Sequence, residues 1–191
     1  MGDVHPRIPR QSAREQSGPP PVSPDGAVRL SAELTAVVFG ARRRALRDGD
    51  RQIDTAHLLH SLLDADAEAY AVFDAEPQLP RLLGYLVQRS IGYGLRWQGT
   101  IEDSGAVPAV TTAEGLSPLA AGAMEHACAR AEHRADGPAR GIDLLAAILV
   151  DPESRAVEVL TRAGIDAGAV YARIDDRLPG ELRGGPPRSS R

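Results

Sequence analysis

Asp54-Thr55-Ala56-His57-Leu58-Leu59-His60-Ser61-Leu62-Leu63 comes back in degenerate form 86 residues later, as Arg140-Gly141-Ile142-Asp143-Leu144-Leu145-Ala146-Ala147-Ile148-Leu149. At the same offset Leu30-Ser31 matches Leu116-Ser117, Ala41 matches Ala127, Ala45 matches Ala131 and Asp50 matches Asp136. No gap is needed from Leu30 to Leu63. Beyond it the register slips by about one residue, so that 69–73 is answered by 156–160. Self-similarity that spans several helices at one fixed offset marks a duplicated structural unit.

Local signals set the elements of that unit. Ser31 is the N-cap of a helix expected to run to about residue 47, with Glu33 in the first turn, where unpaired N–H groups favour an acid. Leu34, Val37, Val38, Ala41, Ala45 and Leu46 recur at spacings of three and four and predict its buried stripe. Asp48-Gly49-Asp50 ends it. The next helix starts at Asp54 or Thr55, buries Leu58, Leu59, Leu62 and Leu63, and is expected to point its polar N-terminus to the surface of the lobe. A third helix over 67–73 and a fourth from near 77 to 91 complete the lobe, with Pro80 tolerable only in the fourth helix's first turn.

The second lobe repeats the plan over 117–133, 141–150, 152–163 and 166–178. Ser117-Pro118 opens it as a cap followed by proline at the first helical position, and Gly164 stops its third helix. The expected class is therefore all-α: two pseudo-symmetric four-helix repeats, about eight helices, at 29–91 and 116–178. Residues 1–28, rich in Pro and Arg without an apolar face, and 179–191 read as disordered arms. Residues 92–115 lose periodicity, gather Gly, Pro and Thr, and read as the inter-repeat linker.

Composition excludes several function classes. The chain has 191 residues, enough to bury roughly 70% of its unfolded surface, and only 4% of them are aromatic, which implies small-residue helix packing. Net charge is −4, giving no general pull towards nucleic acid or acidic membranes. All 22 basic residues are Arg, a bias that suggests a GC-rich bacterial genome. Without Lys there is no Walker A loop, Schiff-base chemistry or Ser-x-x-Lys site. Residues 1–26 lack the apolar core of a signal peptide, and no run approaches the ~18 apolar residues of a membrane helix, so a cytoplasmic location is expected.

Isolated motifs weigh towards structure. His57 and His60 lie three apart on one helix, a metal-ligand spacing, but no Cys, Asp or Glu completes the set locally. His126 and His133 sit near a helix end, where a cation is favoured. A triad of Ser61, His57 and Asp54 fails because side chains on one short helix diverge from a shared substrate. The lone Cys128 reads as a buried thiol. Arg42, Arg43, Arg44 and Arg47 predict a basic face on the first helix. Nearby Glu33, Asp48 and Asp50, and the lack of an aromatic stacking platform, favour a solvated or protein-docking face over an Arg-rich regulatory protein that binds nucleic acid.

Each unit resembles the N-terminal repeat of the Clp (Hsp100) unfoldases, with Asp54-Thr55-Ala56-His57-Leu58-Leu59 standing where that family has Gly-Thr-Glu-His-Leu-Leu. The second copy carries the likeness in Leu116-Ser117-Pro118 and over 153–166, and the whole resemblance covers roughly residues 30–178. It implies a stand-alone Clp N-domain of actinobacterial type, without the ATPase motor. The expected role is non-enzymatic binding of substrates, adaptors or an unfoldase in bacterial Clp proteolysis, as adaptor, decoy or peptide-sequestering protein. Some unfoldases of the family read phosphoarginine with the Glu before the His. Those positions are Ala56 and Ile142 here, and an apolar side chain accepts no guanidinium hydrogen bond, each worth roughly 1.5–3 kcal/mol. Some also bind cyclic-peptide antibiotics beside an aromatic residue ahead of the fifth helix. Leu116 occupies that place and keeps it apolar. Contacts are expected at the lobe interface and helix starts, namely Ser31, Thr55, Ala56, His57, Leu116, Ser117, Ile142 and Asp143. No catalytic residue, metal or cofactor is expected.

Overall fold

The computed structural model describes residues 29–73, 76–90, 102, 115–135 and 137–177; both expected arms and most of the expected linker lie outside them. Eight helices run through the described residues: α1 (Ala32–Asp48), α2 (Thr55–Ala65), α3 (Ala67–Ala71), α4 (Leu79–Ser90), α5 (Pro118–Arg134), α6 (Gly141–Val150), α7 (Arg155–Ala163) and α8 (Ala167–Arg177). No strand occurs among these residues, and the fold is all-α with two four-helix repeats, as the duplicated pattern predicts.

The caps explain why the elements begin and end where they do. Ser31, Ser117 and Ser154 each accept a hydrogen bond from the backbone N–H three residues on, at 3.0, 3.1 and 3.2 Å, satisfying a donor the helix leaves unpaired. Ser154 starts α7 three residues later than the expected 152, because Pro152 lies in a turn before that cap. Asp66 closes α2 and caps α3. Along α1 the buried residues are Leu34, Val37, Ala41 and Ala45. Leu46, expected in that stripe, is instead 71% exposed, since one residue beyond Ala45 turns it about 100° off the buried face.

Two short parallel pairings make the pseudo-twofold visible. Leu30, ahead of α1, bridges to Ala139, ahead of α6, while Leu116, ahead of α5, bridges to Ile53, ahead of α2. Each pairing is the other advanced by the repeat offset, bond for bond. Ser31 N–H donates to Ala139 O and Ala139 N–H to Arg29 O, as Ser117 N–H donates to Ile53 O and Ile53 N–H to Gly115 O, all at 2.8 Å. The lobes are thus crossed over one another, and α2 and α6 lie at the centre. In α6 all residues but Val150 are buried.

Duplication with divergence has left one strained cap. Gly49 ends α1 at φ 74° and Ala135, its counterpart, ends α5 at φ 53°, each giving its N–H to the last carbonyls of its helix. The left-handed region suits Gly and penalises a Cβ. Ala135→Gly is therefore expected to stabilise the fold by roughly 0.5–1 kcal/mol, and Gly49→Ala to cost about as much, read as opposite shifts in the urea midpoint.

Candidate functional site

The N-termini of α2, α5 and α7 converge on the seam between the lobes, and Glu102 occupies their meeting point. Its carboxylate is buried and accepts four hydrogen bonds. Oε2 takes Thr55 N–H at 2.9 Å and Ser117 Oγ at 2.7 Å, while Oε1 takes Arg155 N–H at 2.7 Å and the Thr55 hydroxyl at short range. Thr55 Oγ1 in turn accepts Ala156 N–H at 3.1 Å. Two helix ends direct unpaired N–H groups at one carboxylate and the third adds its capping hydroxyl, so that both carboxylate oxygens are satisfied in the seam.

Beside this cluster Arg155 donates to Asp54 Oδ2 at 2.7 Å, and both side chains are buried. The α2 N-terminus, expected at the lobe surface, is therefore sealed into the seam: Asp54, Thr55, Ala56 and His57 are all buried. Thr55 and Asp54 tolerate this because Glu102 and Arg155 supply their partners. At the pseudo-equivalent seam the pair recurs with its signs exchanged, Arg140 facing Glu68 at 3.4 Å, with both side chains part-exposed.

His57 closes a capping box. Its Nδ1 accepts Asp54 N–H at 3.1 Å, and its own N–H donates to Asp54 Oδ1 at 2.9 Å. Its Nε2 faces Asp50 Oδ2 at 3.3 Å and Asp48 Oδ2 at 3.5 Å. The expectation that no acid accompanies His57 is thus corrected, because the turn after α1 folds Asp48 and Asp50 back onto the imidazole. His60 takes no part. Burial first, and then Arg44, lower its pKa to about 4, so it is neutral at physiological pH.

The fold separates the expected contact residues into groups. Thr55 and Ser117 meet on Glu102, and Leu116 lies buried in the bridge to Ile53 alongside them. Ser31 belongs to the other seam through its bond to Ala139. Asp143, fully buried, caps Arg140 N–H at 2.9 Å and pairs at short range with Arg134. Ala56 and Ile142 face the core, so neither presents a side chain to solvent. The basic face of α1 also loses a member, since Arg44 turns in to Ser61 and Asp64. Ser61, held by Arg44, is no activated nucleophile. Cys128 is a weak one, its thiol raised in pKa by burial and then by Glu132.

Next to the seam an open groove of about 280 Å³ runs between α5 and α6. Leu119, Gly122, Ala123 and His126 line it from α5 and Ala147 and Val150 from α6, with Thr55, Asp151 and Ser154 also in the lining. Gly122 opens to solvent with nothing within 4 Å of a built Cβ, and Val150 is exposed. Drug-sized ligand pockets run from roughly 300 Å³ upward, so the groove suits one or two side chains of an extended peptide. Neither Glu102 nor Arg155 stands out in the sequence as a site residue: Glu102 lies in an aperiodic segment and Arg155 reads as an ordinary helix-start residue.

Solved structures place this architecture. The chain is similar to the Hsp104 N-terminal domain from Candida albicans, with TM-score 0.59 and 14% identity over 82% of this chain and 92% of that one. It is similar also to the N-terminal domain of the caseinolytic protease associated chaperone ClpD from Arabidopsis thaliana, with TM-score 0.54 and 20% identity over 80% and 96%. A third likeness is to a structure from a malarial protein secretion system, with TM-score 0.54 and 14% identity over 78% and 94%. No family model and no curated protein sequence matches the chain. At these identities the likeness concerns the fold, which is that of the Clp and Hsp100 N-terminal domains.

Proposed function

We propose, from a fold shared with Clp-type N-terminal domains, that this chain is a non-enzymatic binding module of bacterial Clp proteolysis that takes an extended peptide segment of a protein partner. The observation that carries the reading is the α5–α6 groove, mostly apolar with His126 and Asp151 also lining it and open at Gly122, beside the interlocked helix starts. Such a groove offers contacts to alternate side chains of an extended peptide. The partner is a Clp unfoldase, its adaptor or a substrate, met in the cytoplasm. No helix among the described residues is long and apolar enough to cross a membrane.

Phosphoarginine reading by the usual acid has little support, since the two positions that would carry it are apolar and buried. A cyclic peptide seated beside Leu116 has to reach a residue that is itself mostly covered. Nucleic-acid binding loses support with the inward turn of Arg44.

The test uses a purified Clp unfoldase and protease with a fluorescent substrate. Wild-type chain is expected to bind the unfoldase or the substrate, while Gly122→Arg, which fills the groove without touching the core, weakens that binding about tenfold or more. An adaptor speeds substrate degradation, and a decoy or sequestering protein slows it. Equal binding by wild type and Gly122→Arg removes the groove from the reading. No binding to any Clp component or substrate removes the reading itself.

A further inference from the structure

The side of α1 turned away from the core carries a line of side chains that the fold does not use. Ala32, Ala36, Phe39, Arg43 and Leu46 are all exposed and follow one another at spacings of four, three, four and three. At about 100° per residue they fall within an arc of about 80°, opposite the buried Leu34, Val37, Ala41 and Ala45. Phe39 at 59% and Leu46 at 71% are the two most exposed large apolar side chains among the described residues. Arg42 and Arg47, both exposed, flank the line on its two sides. Among the described residues neither Arg42 nor Arg43 has an ion-pair partner, and Arg47 has Asp48 at 3.6 Å. The acids of α1 sit elsewhere, Glu33 in the first turn and Asp48 turned in at the end.

The duplicate shows that this line is no requirement of the fold. At the repeat offset α5 carries Pro118, Gly122, Glu125, Ala129 and Glu132, with acids where α1 has Phe39 and Leu46 and with no arginine. Two helices built on one plan thus present outer faces of opposite character. Scattered apolar residues on a surface need no explanation, whereas large ones aligned at the period of a helix–helix seam mark a contact face.

We infer that the outer face of α1 docks an acidic amphipathic helix of a partner protein, whose apolar seam covers Phe39 and Leu46 and whose flanking carboxylates meet Arg42, Arg43 and Arg47. Spacings of four and three are those that keep side chains in register along a second helix. Charge selects the occupant, since a chain of net charge −4 gathers three arginines on this one face. A second copy docked through the same face would set those arginines against themselves. An acidic bilayer fits less well, because an interfacial helix sinks its apolar face roughly 5–10 Å into the headgroups, and this line is narrow with an arginine on either side. The face is separate from the α5–α6 groove, so the inference rests neither on that groove nor on a Clp partner.

The test uses the isotope-labelled full chain and two synthetic helical peptides of three heptads, both with Leu at the seam, one with Glu and one with Lys at the flanking positions. At about 50 mM salt the Glu peptide is expected to bind about tenfold more tightly than the Lys peptide, a gap that closes as salt screens the arginines. Its binding should shift amide resonances along 36–47 and leave those of α5 in place. Phe39→Glu combined with Leu46→Glu, which installs the acids of α5 at exposed positions, is expected to keep the urea midpoint and to lose the Glu peptide about tenfold or more. Arg42→Glu combined with Arg43→Glu should invert the preference, and a gain of Lys-peptide binding cannot come from unfolding. The inference is overturned by no binding of the Glu peptide, by equal binding of the two peptides, or by undiminished affinity in the Phe39→Glu, Leu46→Glu variant. Sedimentation showing wild-type self-association that this variant abolishes would give the face to a second copy instead. Phosphatidylglycerol vesicles that shift the same resonances more than the peptide does would give it to a membrane.

Discussion

Glu102→Ala is expected to destabilise the fold by about 3–5 kcal/mol, the range for removing one partner of a buried charged interaction. The loss comes less from the missing carboxylate than from what it leaves behind. Thr55 N–H, the Thr55 and Ser117 hydroxyls and Arg155 N–H would all remain in the seam with no acceptor, and each unsatisfied buried donor costs about 1–3 kcal/mol before water or relaxation recovers part of it. Glu102→Gln should fall between, because its amide oxygen still accepts two of the bonds while its NH2 group faces donors. Urea unfolding measures both. A Glu102→Ala midpoint within error of wild type would show that the three helix ends need no anion between them.

Gly141→Ala should cost about 2–3 kcal/mol, against the usual gain of about 0.8–1 kcal/mol when a helical glycine becomes alanine. A Cβ built there overlaps Asp66 Oδ2 and lies 2.8 Å from its Cγ and 3.0 Å from Leu62 Cδ2. Asp66 has no room to swing away at no cost, because it is buried and its Oδ1 accepts Ala69 N–H at 2.9 Å as the cap of α3. Displacing it forfeits that cap, worth about 1 kcal/mol. Gly141→Thr, which restores the residue found at the same place in the first repeat, should be worse still. Calorimetry of the two variants decides the sign, and a neutral or stabilising Gly141→Ala would mean that Asp66 relaxes freely.

That contrast shows why the fold was legible in the sequence and the seam was not. Ser31, Ser117-Pro118, the leucines of α2 and Gly164 act within one or two turns of the backbone, so local spacing reveals them. Glu102 reaches Thr55 across 47 residues and Arg155 reaches Asp54 across 101. Neither has a periodic pattern to flag it, and partners at such separations are chosen by the packed lobes. The same reason accounts for the α2 N-terminus, whose polar residues look destined for water until Glu102 and the second lobe arrive to bond them. Leu46 differs for another reason: it is apolar and adjacent in sequence to the stripe, yet it lies on the side of α1 that also exposes Phe39. Asp48 and Asp50 read as helix-ending residues, and only the closed turn brings them to His57.

The exchanged signs at the two seams, Asp54 with Arg155 on one and Arg140 with Glu68 on the other, make the halves complementary rather than self-compatible. Two first halves joined in the same crossed manner would set Asp54 against Glu68 twice over, and two second halves would oppose Arg140 with Arg155. Gene duplication alone yields modules equally able to pair with themselves. These charges instead disfavour pairing of like halves, and leave the unlike half as the electrostatically matched choice.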